Sequence, residues 1–421
     1  MEYKNVLVVG SGISGVASAL ELANAGVSVY LMEREAVVGG HSASFCCKAT
    51  DICAKCSACV VYDKIKEAVT HPRIKLLTNA TVKRLSGELG NFHVEIVRQP
   101  RYVDEERCVA CGLCTEVCPA DPKAIYPPFA EATPFSYILD EARCLRFKGG
   151  ECDLCQKTCP TEAIKFDLKP KEQELSIGAV IAATGFDVFD AGLKGSLGHG
   201  RYPNVLTGLD LEQVFAREGY LRLPTNGKEP KNIGFIQCVG SRDTGHGYCS
   251  QVCCKYAMKL AGLIKYQSPD TQVTIFYIDL QTAGKGFAQF YEKYKESIRF
   301  VRGVPVEIVQ TVSGELELKF EDISQGKVCR DTFDLVVLSV GISPRKGTWD
   351  LARILGINLS DDGFFDTKDC LSSNETNVDG IFVAGTCQGP RDIPDSIAHG
   401  TAAASKAMQV LVQYASRRQS D

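Results

Sequence analysis

The sequence lacks both a hydrophobic run long enough to cross a membrane and a marked excess of charge. No apolar stretch approaches the roughly 20 residues that a transmembrane helix requires. The formal net charge of −4 over 421 residues gives no electrostatic reason to expect a nucleic acid as partner. Lys4 precedes a strand-like run that leads straight into glycines, so we expect no secretory signal peptide. With 45% hydrophobic and 23% charged residues, the chain is predicted to fold into two or three globular domains.

Cysteine is the residue type that stands out. The chain has 20 cysteines, and most of them stand in tight groups with two residues between neighbours. Disulfide frameworks are typical of small exported domains, whereas this chain is long and carries no export signal. The spacing therefore favours metal ligation in a reducing compartment.

The N-terminal residues predict a dinucleotide-binding βαβ unit. A strand is predicted over residues 5–9, a helix over 13–25, and a second strand over 27–32 that ends at Glu33. The loop after the first strand has the spacing G-x-G-x-x-G, formed by Gly10, Gly12 and Gly15. Such glycines let the backbone approach a diphosphate, the helix N-terminus stabilises its charge, and the acid accepts hydrogen bonds from a ribose. These features in register indicate a bound dinucleotide rather than a glycine-rich turn without a ligand.

Two later segments favour FAD over NAD as that dinucleotide. Gly39 and Gly40 follow the acid, as in FAD-binding domains of the disulfide reductase type, and residues 177–190 resemble the Ala-Thr-Gly segment of those flavoproteins. Near the C-terminus, Gly385 is predicted to end a strand and Pro394 suits the first turn of a helix. The positive end of that helix would point at the flavin and stabilise negative charge on its reduced ring.

One position departs from the flavoprotein pattern. The aspartate that usually follows the Ala-Gly pair is Thr386 here, so the ribityl contact is expected to be made in another way, or by Asp392. The candidate FAD-binding residues are Gly10, Gly12, Ile13, Ser14, Gly15, Glu33, Arg34, Gly39, Gly40, His41, Ala183, Thr184, Gly185, Gly385, Thr386, Asp392 and Ile393.

Between the flavin segments lies a doubled cysteine run typical of a bacterial ferredoxin. The first run comprises Cys108, Cys111, Cys114 and Cys118, and the second comprises Cys144, Cys152, Cys155 and Cys159, with a longer first gap. Each run closes in Cys-Pro, which favours two [4Fe–4S] clusters over zinc. Because the fourth cysteine of each run ligates the other cluster in such ferredoxins, Cys159 is predicted to join the first set and Cys118 the second.

A further cysteine group follows the Gly-Gly turn, where a disulfide reductase would carry its redox-active pair. It contains Cys46, Cys47, Cys53, Cys56 and Cys59, of which the last three have ferredoxin-like spacing. We predict that Cys53, Cys56 and Cys59 bind a fourth cluster. A redox disulfide and buried thiols without a role remain as alternatives.

A last group stands where a two-domain flavin reductase would bind NAD(P)H. A predicted strand at residues 232–237 leads through a loop into a helix, and the expected glycine fingerprint is absent. The loop region carries four cysteines instead, Cys238, Cys249, Cys253 and Cys254. Ligands from a strand end and from the first turn of a helix can converge, so the spacing suggests a cluster. A disulfide with spare thiols is the alternative.

The combination resembles the A subunit of heterodisulfide reductase over nearly the whole chain. The resemblance rests on long non-repetitive runs: RYVDEERC, KAIYPPFAEATP, GRYPNVLT, QCVGSRD, YCSQVCCKYAMK, FYIDLQTAGKGFAQFY and GPRDIPDSI. It implies that Cys238, Cys249, Cys253 and Cys254 hold a [4Fe–4S] cluster beside the flavin. It also implies that Lys259 contacts the flavin and stabilises its anionic states, where a solvated helix lysine is the alternative.

The compact form of the chain is most similar to the flavoprotein of the quinone-interacting membrane-bound oxidoreductase of sulfate reducers. That resemblance implies electron transfer between a membrane quinone pool and adenylylsulfate reductase. It also implies two partner proteins, an iron–sulfur flavoprotein and a quinone-reactive membrane protein, and a location at the cytoplasmic face of the membrane. The A subunit of heterodisulfide reductase-like complexes in sulfur oxidation or thiol/disulfide metabolism is the second interpretation. An NAD(P)H-dependent disulfide reductase is the third.

The predicted fold class is α/β, with two dinucleotide-binding domains of the thioredoxin reductase type and an inserted ferredoxin domain. The FAD domain is predicted to be discontinuous, over residues 1–100, 166–225 and 335–421. The ferredoxin insert is predicted over 101–165 and the second nucleotide-type domain over 226–334.

Overall fold

The structure is a computed structural model that describes residues 4–128, 132–281 and 286–418. Parts of two of the family-like runs, residues 129–131 and 282–285, lie outside the described residues. No helix in the described ranges is both long enough and apolar enough to cross a membrane.

The strands, numbered in chain order, are as follows. They are β1 (Val6–Val9), β2 (Val29–Met32), β3 (Ile74–Leu77), β4 (Ala80–Glu88), β5 (Asn91–Arg98), β6 (Ile125–Tyr126), β7 (Ile138–Leu139), β8 (Lys171–Ile177), β9 (Ala179–Ala182), β10 (Phe186–Val188), β11 (Val205–Thr207), β12 (Asn232–Val239), β13 (Gln272–Tyr277), β14 (Arg299–Arg302), β15 (Glu307–Gln310), β16 (Leu316–Asp322), β17 (Lys327–Phe333), β18 (Leu335–Val340), β19 (Ile342–Pro344) and β20 (Ile381–Val383).

The α-helices follow the same order. They are α1 (Ile13–Asn24), α2 (Ala58–Thr70), α3 (Leu113–Glu116), α4 (Leu154–Thr158), α5 (Gly208–Glu218), α6 (Cys253–Gln267), α7 (Phe287–Tyr294), α8 (Thr348–Leu355) and α9 (Ile393–Arg418). The predicted glycine loop therefore leads into α1, the cysteine-bearing helix is α6, and Pro394 lies in the first turn of α9.

The first sheet assembles strands from three distant parts of the chain. Its strand order is β20-β9-β1-β2-β3, with all neighbours parallel. The four residues of β1 are apolar and buried, which suits a central strand covered on both faces. Helices α1 and α9 pack on one face, and the antiparallel sheet β4-β5-β8 contributes to the core on the other.

The second domain has a parallel sheet of order β11-β18-β12-β13-β14. Helices α5 and α6 cover one face, and the antiparallel sheet β15-β16-β17 covers the other. Strands β11 and β18 pair inside this sheet, although the boundaries predicted at residues 225 and 335 assign both strands to the FAD domain. Strands β10 and β19 pair with each other where the chain passes between the two domains.

The ferredoxin insert has a small core of its own, built largely from its cysteines and the β6–β7 hairpin. Its two ends are joined by a bridge between Val103 and Ile164. The insert is held to the FAD domain through the loop after Glu33, where the Arg101 guanidinium donates to the Ala36 carbonyl and the Val38 N–H donates to the Thr133 carbonyl at 3.0 Å.

Candidate functional site

A cleft of about 1470 Å³ opens at the carboxyl ends of β1 and β9, the position where parallel α/β sheets bind ligands. Residues of α5, α6 and the β18–β19 turn close its opposite side. The predicted FAD-binding residues that line it are Gly10, Gly12, Ile13, Ser14, Glu33, Gly40, His41, Ala183, Thr184, Gly185, Thr386, Asp392 and Ile393.

The glycine loop has the steric properties of a dinucleotide cradle. A methyl group on Gly10, whose φ is +106°, would lie 2.3 Å from the Ala183 carbonyl oxygen. On Gly15 it would lie 1.9 Å from the Gly10 carbonyl oxygen, whereas on Gly12 it would meet no atom within 4 Å. The outer two glycines therefore allow close backbone packing, and Gly12 faces the open cleft, where a diphosphate would meet the N-terminus of α1.

A second hollow of about 770 Å³ continues the cleft past Glu33 and is shaped for the adenosine half of a dinucleotide. Glu33, Arg34 and Arg345 line it together with residues of β4. The Glu33 carboxylate is 4% exposed and accepts hydrogen bonds from the N–H and hydroxyl of Ser11, at 2.9 and 2.6 Å. These bonds fix the acid at the end of β2.

Three predicted glycines support the cleft without lining it. A methyl group on Gly385, whose φ is +76°, would lie 1.9 Å from the Ser14 hydroxyl oxygen. On Gly39 it would lie 2.5 Å from the Ala43 side chain. Together with Gly15, these residues hold the cradle segments in contact. Every predicted flavin-site residue therefore lies at the cleft, in the adjoining hollow or in the backbone packing that shapes them.

Four lysines line the cleft, Lys48, Lys55, Lys255 and Lys259, and carboxylates neutralise two of them. The Lys48 ammonium lies 2.6 Å from Glu212, with both side chains buried, and Lys255 lies 3.1 Å from Asp392. Lys259 Nζ donates to the Lys55 carbonyl at 3.2 Å, and within the described residues no carboxylate pairs with it. Burial lowers the pKa of Lys259; the nearby Cys56 opposes this shift, and the charges of Lys48 and Lys255 add to it.

Sequence reasoning missed several cleft residues. They are Lys48, Glu212, Lys255, Tyr256, Arg345 and Arg391. Lys255 and Tyr256 stand four and three residues before Lys259 on α6, so helical spacing could have found them. Glu212 and Arg345 come from elements far apart in the chain, and no local pattern points to them.

The four cysteines of the second domain come together directly beside the cleft. Cys238 lies on β12 with φ of +60°, Cys249 lies in the loop, and Cys253 and Cys254 form the first turn of α6. Burial, followed by the neighbouring Cys254 thiol, raises the pKa of Cys238 to about 11, and Arg242 opposes that shift. Burial and the other three thiols also raise the pKa of Cys253.

The eight cysteines of the insert divide between two hollows of about 340 Å³ each. One is lined by Cys108, Cys111, Cys114 and Cys159, and the other by Cys118, Cys144, Cys152 and Cys155. These are the two sets that the crossed ligand assignment groups together. Among the residues described, no three His, Cys, Asp or Glu side chains meet at a position for a single metal ion.

The cysteines after the Gly-Gly turn are spread over different environments. Cys56 is half-buried and lines the flavin cleft, whereas Cys53 and Cys59 are exposed. Cys46 is buried, and its thiol donates to the Glu212 carboxylate at 3.1 Å. The description as buried thiols therefore fits Cys46 but not Cys53 or Cys59.

Three protein families match parts of the chain. Residues 5–98 match FAD dependent oxidoreductases, 101–122 match the 4Fe-4S binding domain, and 148–407 match the pyridine nucleotide-disulphide oxidoreductases. Among solved structures, the chain resembles thioredoxin reductases of Lactococcus lactis (TM-score 0.54, 16% identity, 97% of this chain and 99% of that one) and of T. acidophilum (TM-score 0.53, 15% identity, 99% of both). At these identities the resemblance shows the fold, which is the one predicted.

The curated relatives are heterodisulfide reductase A subunits. The chain is 42% identical over 423 residues to the iron-sulfur A subunit of the CoB–CoM heterodisulfide reductase of Methanocaldococcus jannaschii. It is 39% identical over 427 residues to the A subunit of the H2:CoB-CoM heterodisulfide,ferredoxin reductase of Methanothermobacter marburgensis. These alignments cover 96% and 97% of this chain but only 63% and 64% of the relatives, so the chain spans less than two thirds of their length. With the third match covering more than half of its residues, the chain belongs to the pyridine nucleotide-disulphide oxidoreductases, a family of flavin-dependent oxidoreductases, and has heterodisulfide reductase A subunits among its homologues.

Proposed function

We propose that the chain is an FAD- and iron–sulfur-containing electron-transfer component of a multi-subunit oxidoreductase. One observation carries this proposal: helix α6 is shared by the flavin cleft and a four-cysteine group. Its first turn supplies Cys253 and Cys254, and its next turns supply Lys255, Tyr256 and Lys259 to the cleft. A cluster held by this group would lie next to the flavin, without a nicotinamide between them.

Different residues of the chain would bind FAD and adjust the reduction potential of its flavin. The N-terminus of α1 binds the diphosphate, Glu33 the adenosine ribose, and the N-terminus of α9 stabilises negative charge at the flavin. The flavin exchanges two electrons and each [4Fe–4S] cluster exchanges one, so together they connect two-electron and one-electron partners. Lys259 supplies an ammonium that no carboxylate among the described residues neutralises.

We propose three [4Fe–4S] clusters, two in the ferredoxin insert and one at Cys238, Cys249, Cys253 and Cys254. A fourth at Cys53, Cys56 and Cys59 competes with a redox disulfide in that loop. Because Cys56 lines the cleft, either group would exchange electrons with the flavin.

For the physiological reaction, we propose electron transfer between membrane quinone and adenylylsulfate reductase in dissimilatory sulfate respiration. The quinone is reached through a membrane protein and a second iron–sulfur flavoprotein, with this chain at the cytoplasmic face. The support is the resemblance of the sequence to the flavoprotein of the quinone-interacting complex.

The second candidate is the A subunit of a heterodisulfide reductase-like complex in thiol/disulfide or sulfur oxidation metabolism. The identity of 39% and 42% to heterodisulfide reductase A subunits favours it. Anaerobic purification from the native host, with identification of the co-purifying subunits, separates the two. A quinone-reactive membrane protein supports the first candidate, and a soluble heterodisulfide reductase-type partner supports the second. Full quinol-linked activity in the chain alone would contradict both.

We expect the anaerobically purified chain to contain one non-covalent FAD and about 12 iron atoms, because each of three clusters holds four. A fourth cluster at Cys53, Cys56 and Cys59 would raise the value to about 16. Acid-labile sulfide, iron and extracted flavin would be measured on the same sample. An iron content of about 8 atoms per chain in fully loaded protein would confine the clusters to the insert and refute the site on α6.

We expect NADH and NADPH to reduce the flavin slowly or not at all in the isolated chain. The end of β12 and the loop after it would have to cradle the diphosphate of the nicotinamide nucleotide. The strand carries Cys238, the loop carries Cys249, and the start of α6 carries Cys253 and Cys254. Flavin absorbance is followed anaerobically after mixing with each nucleotide, and dithionite serves as the positive control. Rapid stoichiometric bleaching by either nucleotide would restore the disulfide reductase interpretation.

A further inference from the structure

We propose that Arg345 binds the diphosphate of FAD, with Thr386 beside it, in the part of the cleft where related flavoproteins carry an aspartate. The inference rests on the proposed function, because it requires the chain to bind FAD. Related flavoproteins have a carboxylate in this part of the cleft, whereas this chain would bind the cofactor there with a cation.

Arg345 lies where the two halves of the dinucleotide cleft meet. It follows directly after β19, and its side chain lines both the 1470 Å³ cleft and the 770 Å³ adenosine hollow. Its Nη1 donates to the Thr184 carbonyl at 3.0 Å, which fixes the guanidinium against the Ala-Thr-Gly segment. The diphosphate is the part of FAD that joins the two halves, so the guanidinium lies where that group must pass.

The guanidinium retains unused hydrogen-bonding capacity, and its positive charge is only weakly neutralised by its neighbours. Its Nε is buried and has no hydrogen-bond partner among the described residues. The carboxylate that it contacts, Glu35 at 3.2 Å, is 59% exposed and is shared with Arg34. A solvated acid shared by two arginines neutralises each of them weakly. With a side chain only 17% exposed, Arg345 has a positive charge that an anionic ligand would stabilise.

The Thr386 side chain borders the same space as Arg345 and can donate a hydrogen bond to an anionic ligand. A methyl group on Gly185 would lie 3.9 Å from the Thr386 hydroxyl oxygen and 4.0 Å from Arg345 Nη1, so both side chains border the same space. An aspartate at position 386 would accept bonds from sugar hydroxyls, whereas a threonine and an arginine can both donate to phosphate oxygens.

Two further features leave the diphosphate dependent on Arg345. The first turn of α1 carries no acidic or basic side chain, so the cradle itself offers backbone N–H groups and the Ser14 hydroxyl but no cation. Asp392, the alternative acceptor for the ribityl chain, is occupied by Lys255 at 3.1 Å and by the Asp395 N–H at 3.0 Å. Arg345 is the cation that the cleft presents at the junction of its two halves.

The test compares Arg345→Gln and Arg345→Lys in the full chain with its clusters intact. Anaerobic binding of FAD, ADP and riboflavin to flavin-depleted protein is measured, because ADP has the diphosphate without the flavin ring and riboflavin has the ring without the diphosphate. Arg345→Gln should weaken the binding of FAD and of ADP by the same factor, roughly tenfold or more, and leave the binding of riboflavin unchanged. Arg345→Lys should recover part of the loss, since it keeps the charge without the fork of donors.

Arg353→Gln is the matched control. This arginine lies on α8, is 68% exposed and pairs with Asp350, so its removal should leave all three affinities unchanged. Unchanged FAD and ADP affinities in Arg345→Gln would overturn the inference. An equal loss of riboflavin binding would overturn it too, because the side chain would then only shape the cleft. If the unmodified chain binds no FAD, the proposed function fails and the inference with it, which the control titration reveals first.

Discussion

Cys253→Ser and Cys254→Ser are each expected to remove one [4Fe–4S] cluster, about four iron atoms per chain, while FAD and the ferredoxin pair remain. Both residues are 5% exposed in the first turn of α6, and the thiols of Cys238 and Cys249 raise the pKa of Cys253. Clusters are held by thiolate sulfur, and a serine hydroxyl is a poor replacement. Electron transfer out of the reduced flavin should fall even though the protein stays folded, because the FAD cradle is built on the first sheet and the ferredoxin clusters lie in the insert.

Iron content, cluster EPR spectra and the rate of flavin reoxidation by an artificial acceptor measure these effects. Cys329→Ser is the matched control, since Cys329 is a half-buried thiol on β17, outside every cysteine group. It should retain all iron. If the two α6 variants keep the iron content and EPR spectrum of the wild type, the group holds no cluster, and its thiols are structural or form a disulfide.

The fold could be predicted where its signals are local. The glycine loop, the acid after β2 and the doubled cysteine runs each depend on residues close together in the chain, and they identify the flavin unit and the insert. The assignment of the parallel strands to the two sheets was harder to predict from the sequence. Strands β11 and β18 are short apolar runs, and pairing between distant residues, such as Val205 with Val336, decides which sheet receives them.

The residues of the candidate site could likewise be predicted only in part from the sequence. Lys259 could be named as a candidate because the resemblance to heterodisulfide reductase A subunits points to it. The buried pair of Lys48 and Glu212 could not, because a loop after β2 meets a helix, α5, from a distant part of the chain. Spacing alone was also insufficient for Cys53, Cys56 and Cys59: the ferredoxin-like interval is present, yet only Cys56 faces the cleft.

Lys259→Met is expected to lower the reduction potential of the flavin without loss of iron. Lys48 and Lys255 are paired with Glu212 and Asp392, and Lys55 is exposed, so Lys259 is the partly buried cleft lysine without a carboxylate partner among the described residues. A positive charge near the flavin favours its negatively charged reduced form. Removing it from a partly buried position costs on the order of 1–2 kcal/mol, which is about 20–40 mV for a two-electron couple. Anaerobic spectroelectrochemistry of the flavin measures the shift.

Two variants decide whether the charge at this position causes that shift. Lys259→Arg keeps the charge and should stay near the wild-type potential. Lys265→Met removes a lysine from the same helix at a position outside the cleft, where Nζ bonds the Thr271 carbonyl at 2.9 Å, and should also leave the potential unchanged. Because none of these changes touches a cysteine, iron content stays constant in all of them, which separates tuning of the flavin from ligation of a cluster. A potential in Lys259→Met equal to that of the wild type would mean that the ammonium is solvated and does not act on the flavin.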